Sequence, residues 1–128
     1  MQEIKFGDVT VTRVVEYHGD AGTSPEDITP GIPVELWREN RAWLQPDHVN
    51  ADFTSYVGAL QTWVLRSEGK TVLVDTGAGN GKDRPLATFA HLHTSFLADL
   101  AAAGVAPQDV DVVINTHLHL DLKRQAAA

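Results

Sequence analysis

The stretch that decides the fold reads V-D-V-V-I-N-T-H-L-H-L-D and spans residues 110–121. Its valine-rich first part predicts a strand over residues 108–115. Its second part places His117, His119 and Asp121 at alternate positions. Because alternate residues of an extended chain project to the same side, these side chains can converge where the strand ends. Two imidazoles and a carboxylate suit zinc, so we predict a metal site at this point.

Composition limits the chemistry of such a site. The chain has 128 residues, no cysteine and a net charge of −7. Without cysteine, a metal must be held by histidine and carboxylates, and a thiol nucleophile is excluded. The acidic balance argues against nucleic acid and against an anionic membrane surface as partners. No apolar run has the length of a membrane span, and charges occupy the place of a signal peptide's apolar core, so we expect a cytoplasmic protein.

Two hairpins are predicted from alternation and turn residues. The first covers residues 2–17, with its turn at Gly7-Asp8, and the second covers residues 59–75. A glycine-rich loop follows at 75–81. Its spacing is not that of a P-loop, so a phosphate-binding role is only weakly indicated.

The remaining segments are an irregular insertion and one helix. Residues 18–58 are rich in proline and lack periodicity, apart from a short helix predicted around 34–44. The two tryptophans of this segment are expected to cover the edge of a core rather than to line a substrate site. Apolar spacing predicts the main helix over residues 86–103. His91 and His93 fall within it and diverge by about 200°, so we do not expect them to share a metal.

Three motifs together resemble a known family. They are T-H-L-H-L-D at 116–121, V-L-V-D-T-G at 72–77 and A-A-A-G-V-A-P-Q-D-V-D at 101–111. This combination resembles the N-terminal half of a metallo-β-lactamase-superfamily hydrolase. The resemblance implies an α+β fold, half of an αββα sandwich, in which a mainly antiparallel sheet built from hairpins carries an amphipathic helix.

The resemblance also implies roles for individual residues and one or two zinc ions as cofactor. His117 and His119 match ligands of the first metal. Asp121 matches a carboxylate ligand of the second metal and a catalytic residue that orients water. Asp75 matches an acidic residue that supports the metal site by hydrogen bonding. The reaction implied is metal-dependent hydrolysis of an ester, a lactone or a similar bond in a small-molecule substrate.

The sequence departs from the family pattern directly after Asp121. The family continues with a histidine, whereas this chain has Leu122 and then K-R-Q-A-A-A. The family's later ligands belong to a C-terminal half that these residues do not include. We therefore expect a partial domain over 1–121, an atypical tail over 122–128, and a truncated hydrolase that binds metal weakly and is inactive alone.

Two other interpretations stay open. The chain could be a non-catalytic module that self-associates or pairs with a complementing C-terminal half, because half of a two-sheet fold exposes an apolar face and a strand edge. It could also be a small unrelated α+β protein in which the two histidines of the motif are incidental.

Overall fold

The computed structural model describes residues 2–117, which form one five-stranded sheet and several short helices. The strands lie in the sequential order β1-β2-β3-β4-β5, with antiparallel pairing up to β4 and parallel pairing of β5 with β4. This is the mainly antiparallel α+β fold that the resemblance implied. The strands are β1 (Gln2–Phe6), β2 (Val9–Asp20), β3 (Val57–Ser67), β4 (Lys70–Val74) and β5 (Val112–Ile114). The helices are α1 (Pro25–Ile28), α2 (Val34–Glu39), α3 (Arg41–Leu44) and α4 (Phe96–Ala102), with 3-10 turns at Ala87–Phe89 and Pro107–Asp109.

Both predicted hairpins are confirmed, and their turn residues explain them. Gly7 opens the first turn with φ +59°. Glu68 and Gly69 form the second turn with φ +50° and +75°. Positive φ at these positions matches the right-handed twist of the flanking strands, so the turn fixes the register that places Ser67 opposite Lys70.

The core lies between the sheet and α4. Leu100 on α4 is 3% exposed, whereas Leu97, one turn earlier, is 62% exposed. The helix is therefore amphipathic and buries one side against the sheet, as expected. The buried cluster consists of Val14, Val64, Leu73, Phe96, Leu100 and Val105. Within residues 2–117, no helix is long and apolar enough to cross a membrane.

The helix predicted over 86–103 is wrong in its first half. The α-helix covers only Phe96–Ala102. Asn80 accepts a hydrogen bond from the Thr94 N–H and donates one to the Thr94 carbonyl, which holds the preceding residues alongside the glycine-rich loop. His91 has φ +51°, a conformation incompatible with a right-handed helix. The apolar spacing before Thr94 therefore reflects packing of a loop.

The irregular segment occupies residues 21–56, because β2 and β3 extend further than predicted. The helix expected around 34–44 is present as α2 and α3, which are separated at Asn40. Trp37 packs on a small buried cluster of this segment, as expected. Trp43 is 64% exposed, so the expectation of a core-covering role is wrong for this residue.

Strand β5 is shorter than predicted and lies at the edge of the described sheet. The strand expected over 108–115 covers only Val112–Ile114, because a 3-10 turn precedes it. All three of its side chains are apolar and between 38% and 48% exposed. Among residues 2–117, no strand pairs with its outer side.

Candidate metal site

Asp75 directly follows β4 and accepts hydrogen bonds from Thr116, which lies just after β5. The Thr116 N–H donates to Asp75 Oδ1 at 2.9 Å, and the Thr116 hydroxyl donates to Oδ2 at 2.8 Å. The Asp75 N–H donates in turn to the Ile114 carbonyl at 2.8 Å. Because β4 and β5 are parallel, their carboxyl ends meet at one edge of the sheet, and Asp75 can fix the start of the loop that carries His117.

The hydrogen-bond chain continues from Thr116 to His117. Thr116 Oγ1 and His117 Nδ1 are 2.8 Å apart. Since the hydroxyl has one proton and donates it to Asp75, it must accept a hydrogen bond from Nδ1–H of His117. An imidazole whose single proton is on Nδ1 has its lone pair on Nε2, and a hydrogen bond at the other ring nitrogen is the usual way that a protein orients a metal-binding histidine.

The glycine-rich loop after Asp75 is held by a buried acid. Glu16 is 6% exposed, and its carboxylate accepts hydrogen bonds from the N–H groups of Ala78 at 2.5 Å and Gly79 at 2.8 Å. Two backbone N–H groups of this loop that could bind a phosphate, those of Ala78 and Gly79, are therefore already used within the chain. This contact argues against the weakly indicated phosphate-binding role.

The sequence motifs indicate no role for Glu16, although the pattern of β2 contains a signal. Along β2, the buried positions are Thr12, Val14 and Glu16, which alternate with less buried ones. Alternation in a strand places these residues on one side of the sheet. An acid at the third position of a core-facing series must find hydrogen-bond donors, which predicts a structural or functional contact.

The structure does not place the other predicted site residues in the hydrogen-bond chain from Asp75 to His117. His119 and Asp121 lie outside the described residues, so their convergence with His117 stays a prediction. His91 pairs with Asp83, at 2.9 Å between Nε2 and Oδ1, on an exposed loop. Within residues 2–117, no three histidine, aspartate or glutamate side chains come together as a metal-binding group. The oriented imidazole of His117 nevertheless fits zinc in its chemistry, since neutral imidazole is an ordinary zinc ligand.

Comparison with known protein families identifies the superfamily of this chain. Residues 56–121, just over half of the chain, match the family described as the metallo-beta-lactamase superfamily. The chain belongs to this superfamily. The matched segment contains both strand ends that meet at Asp75 and Thr116. Comparison with curated proteins gives no significant match.

Solved structures show that this superfamily member has the fold of known hydrolases. A probable metal-dependent hydrolase from Staphylococcus aureus aligns with a TM-score of 0.72 and 20% identity, over 93% of this chain and 41% of its own. AbOPH, a hydrolase in the beta lactamase superfamily, aligns with a TM-score of 0.68 and 25% identity, over 94% and 36%. AidC, a dizinc quorum-quenching lactonase in complex with a product, N-hexnoyl-L-homoserine, aligns with a TM-score of 0.61 and 21% identity, over 92% and 36%. The chain thus spans about two fifths of the length of these proteins or slightly less.

Proposed function

We propose that this chain contributes part of a zinc-dependent hydrolase site, with His117, His119 and Asp121 as zinc ligands. The observation that carries the proposal is the hydrogen-bond chain from Asp75 through Thr116 to His117. It assigns to His117 the tautomer in which Nε2 can bind a metal. Metal-binding histidines commonly have such a partner at the second nitrogen, whereas a solvated surface histidine has no need of one.

The chain's own residues would divide the work of such a site. When bound, zinc supplies Lewis-acid activation of water and of the carbonyl under attack. Asp75, acting through Thr116, would restrict rotation of the His117 ring. Asp121 would orient the attacking water by accepting a hydrogen bond from it. A small molecule with an ester or lactone bond is the substrate class that we propose, and the lactonase among the structural neighbours supports it.

These residues supply at most three ligands, and Asp121 is the counterpart of a ligand to a second metal. A catalytic zinc normally has three protein ligands and an open position. We therefore propose that the 128 residues alone bind zinc weakly and do not hydrolyse esters at a useful rate. The partial domain over 1–121, the atypical tail over 122–128 and the cytoplasmic location stay predictions from the sequence.

Zinc bound at equilibrium, measured by dialysis against a buffer of fixed zinc concentration, tests this proposal. The unmodified chain is compared with a His117→Ala/His119→Ala variant and with a His91→Ala/His93→Ala variant, which removes the same number of histidines with the same spacing. We expect the unmodified chain and the control variant to retain equal zinc, and the first variant to lose most of it. Equal zinc in all three proteins would remove the ligand assignment.

Association through β5 is a second candidate function. The three apolar side chains of this edge strand are 38–48% exposed. An exposed apolar edge strand can pair with a strand of another chain. Light scattering of the chain and of a Val112→Lys/Ile114→Lys variant tests it. Association predicts a mass above the monomer's 13.9 kDa that falls to the monomer value in the variant. A monomer in both cases would exclude this function.

A further inference from the structure

We propose that Glu16 is a positioning residue for the metal site. Its carboxylate holds the glycine-rich loop in the conformation that lets Asp75 bind Thr116 and thereby orient His117. The inference rests on the proposed function, because it concerns the same site. It assigns a role to a residue of β2, which is distant in sequence from all three motifs of the family.

Glu16 faces the core at a β-bulge in β2. The register of β2 with β3 pairs Val15 with Gln61 and Tyr17 with Leu60, so Glu16 is the additional residue between them. Bulges are frequent beside functional sites. Glu16 lies on the same side of the sheet as Thr12 and Val14 and is 6% exposed. A buried carboxylate is stable only when hydrogen-bond donors surround it, and the loop provides them.

The contact between Glu16 and the loop involves both carboxylate oxygens. Oε2 accepts from the Ala78 N–H and Oε1 from the Gly79 N–H. Hydrogen bonds to an ionised acceptor are roughly twice as strong as those between neutral groups. The Ala78 carbonyl also accepts a hydrogen bond from Arg84 Nε at 2.9 Å. The peptide groups on both sides of Ala78 are therefore fixed by side chains.

The loop conformation connects this contact to Asp75. Asp75, Gly77 and Gly79 all have positive φ, at +57°, +73° and +83°. A Cβ built on Gly77 would collide with the Glu16 carboxylate, so the backbone passes directly over this side chain. Asp75 is not glycine, and its left-handed conformation persists only where its surroundings hold it. Release of the loop by loss of Glu16 would therefore let the Asp75 carboxylate turn away from Thr116.

The test compares Glu16→Gln, Glu16→Asp and the exposed control Glu39→Gln in the full chain. Three quantities are measured: amide hydrogen exchange at Ala78 and Gly79, the ¹⁵N shifts of the His117 ring, and zinc affinity by competition with a chromophoric chelator. We expect Glu16→Gln to speed exchange, to abolish the Nδ1–H tautomer of His117 and to weaken zinc binding about tenfold. Glu16→Asp keeps the charge but is shorter, so its effects should be intermediate. Glu39→Gln should change none of the three.

The outcomes separate this inference from the proposed function. If His117→Ala binds zinc as tightly as the unmodified chain, the proposed function fails. The inference is then decided by the His117 ring shifts of Glu16→Gln, and unchanged shifts would overturn it. If zinc binds through His117 but Glu16→Gln changes only the exchange at Ala78 and Gly79, Glu16 is merely structural and the inference is overturned.

A second variant disturbs the same contact by a change in the loop. It keeps the inference testable if Glu16→Gln does not fold. Gly77→Ala places a methyl group against the Glu16 carboxylate. We expect the Nδ1–H tautomer of His117 to be lost in this variant also. A folded Gly77→Ala chain with an unchanged His117 ring would contradict the inference.

Discussion

Asp75 and Thr116 are joined by two hydrogen bonds although 41 residues separate them along the chain. The contact connects the ends of two parallel neighbouring strands, β4 and β5. It makes the ends of these two strands a rigid support for Thr116 and His117. A site built on strand ends keeps its geometry better than one built on a free loop, which is why the candidate ligands are expected here.

The Thr116 hydroxyl should determine the tautomer of His117. Thr116→Ser keeps the hydroxyl, whereas Thr116→Val replaces it with a methyl group of similar shape. We expect the Nδ1–H form in the unmodified chain and in Thr116→Ser, and a shift towards the Nε2–H form in Thr116→Val. Because Thr116 is exposed, the free energy of unfolding should change by no more than about 0.5 kcal/mol. Ring ¹⁵N shifts at pH 8 check the tautomer, and identical shifts in the two variants would contradict the assignment.

Asp75→Asn should weaken zinc binding without unfolding the chain. Asparagine tolerates the φ of +57° at this position, but its amide nitrogen cannot accept a hydrogen bond from Thr116. Loss of such a partner typically lowers metal affinity 10- to 100-fold, roughly the effect we expect here. Asp83→Asn on the exposed loop is the matched control. A chelator-competition assay that finds the same affinity for both variants would show that Asp75 does not support the site.

The two leucines of α4 give a matched test of the core. Leu100→Ala removes a side chain that packs against the sheet and should lower the free energy of unfolding by about 2–5 kcal/mol. Leu97→Ala, which removes an exposed side chain, should change it by less than about 0.5 kcal/mol. Urea unfolding followed by circular dichroism measures both. Equal effects would mean that α4 does not pack as described.

Much of the fold could be predicted because its signals are local. Alternation and two turn sequences were sufficient for both hairpins, and the parallel strand was recognisable from its valines. The first half of the predicted main helix was wrong because a contact distant in sequence, between Asn80 and Thr94, holds that segment as a loop. Alternation along β2 indicated that Glu16 faces the core, but its partners could not be predicted because the loop that donates hydrogen bonds to it is 62 residues away along the chain.

The stability that Asp111 gives to the fold, just before β5, should depend on pH. Its Oδ1 accepts from Lys70 Nζ at 2.8 Å and its Oδ2 from the Thr71 N–H at 2.9 Å. These bonds lower the pKa of Asp111 from its ordinary value of 3.8. The ionised carboxylate therefore stabilises the fold above pH 3.8, and this contribution is lost as the pH falls through the lowered pKa.

An Asp111→Asn variant makes this effect measurable. It should have a lower urea midpoint than the unmodified chain at pH 7, and the difference should shrink as the pH falls below 3.8. The exposed Asp47→Asn variant should have the same urea midpoint as the unmodified chain at pH 7 and below pH 3.8. A difference for Asp111→Asn that stays constant across the acid range would contradict the role of the ionised carboxylate.

The most direct test of the central claim is zinc K-edge X-ray absorption of the chain loaded with one equivalent of zinc. We expect the scattering pattern of two imidazole ligands, which should disappear when both His117 and His119 are replaced by alanine and persist when His91 and His93 are replaced. A spectrum with only oxygen ligands, or one that the His117→Ala/His119→Ala change leaves intact, would contradict it.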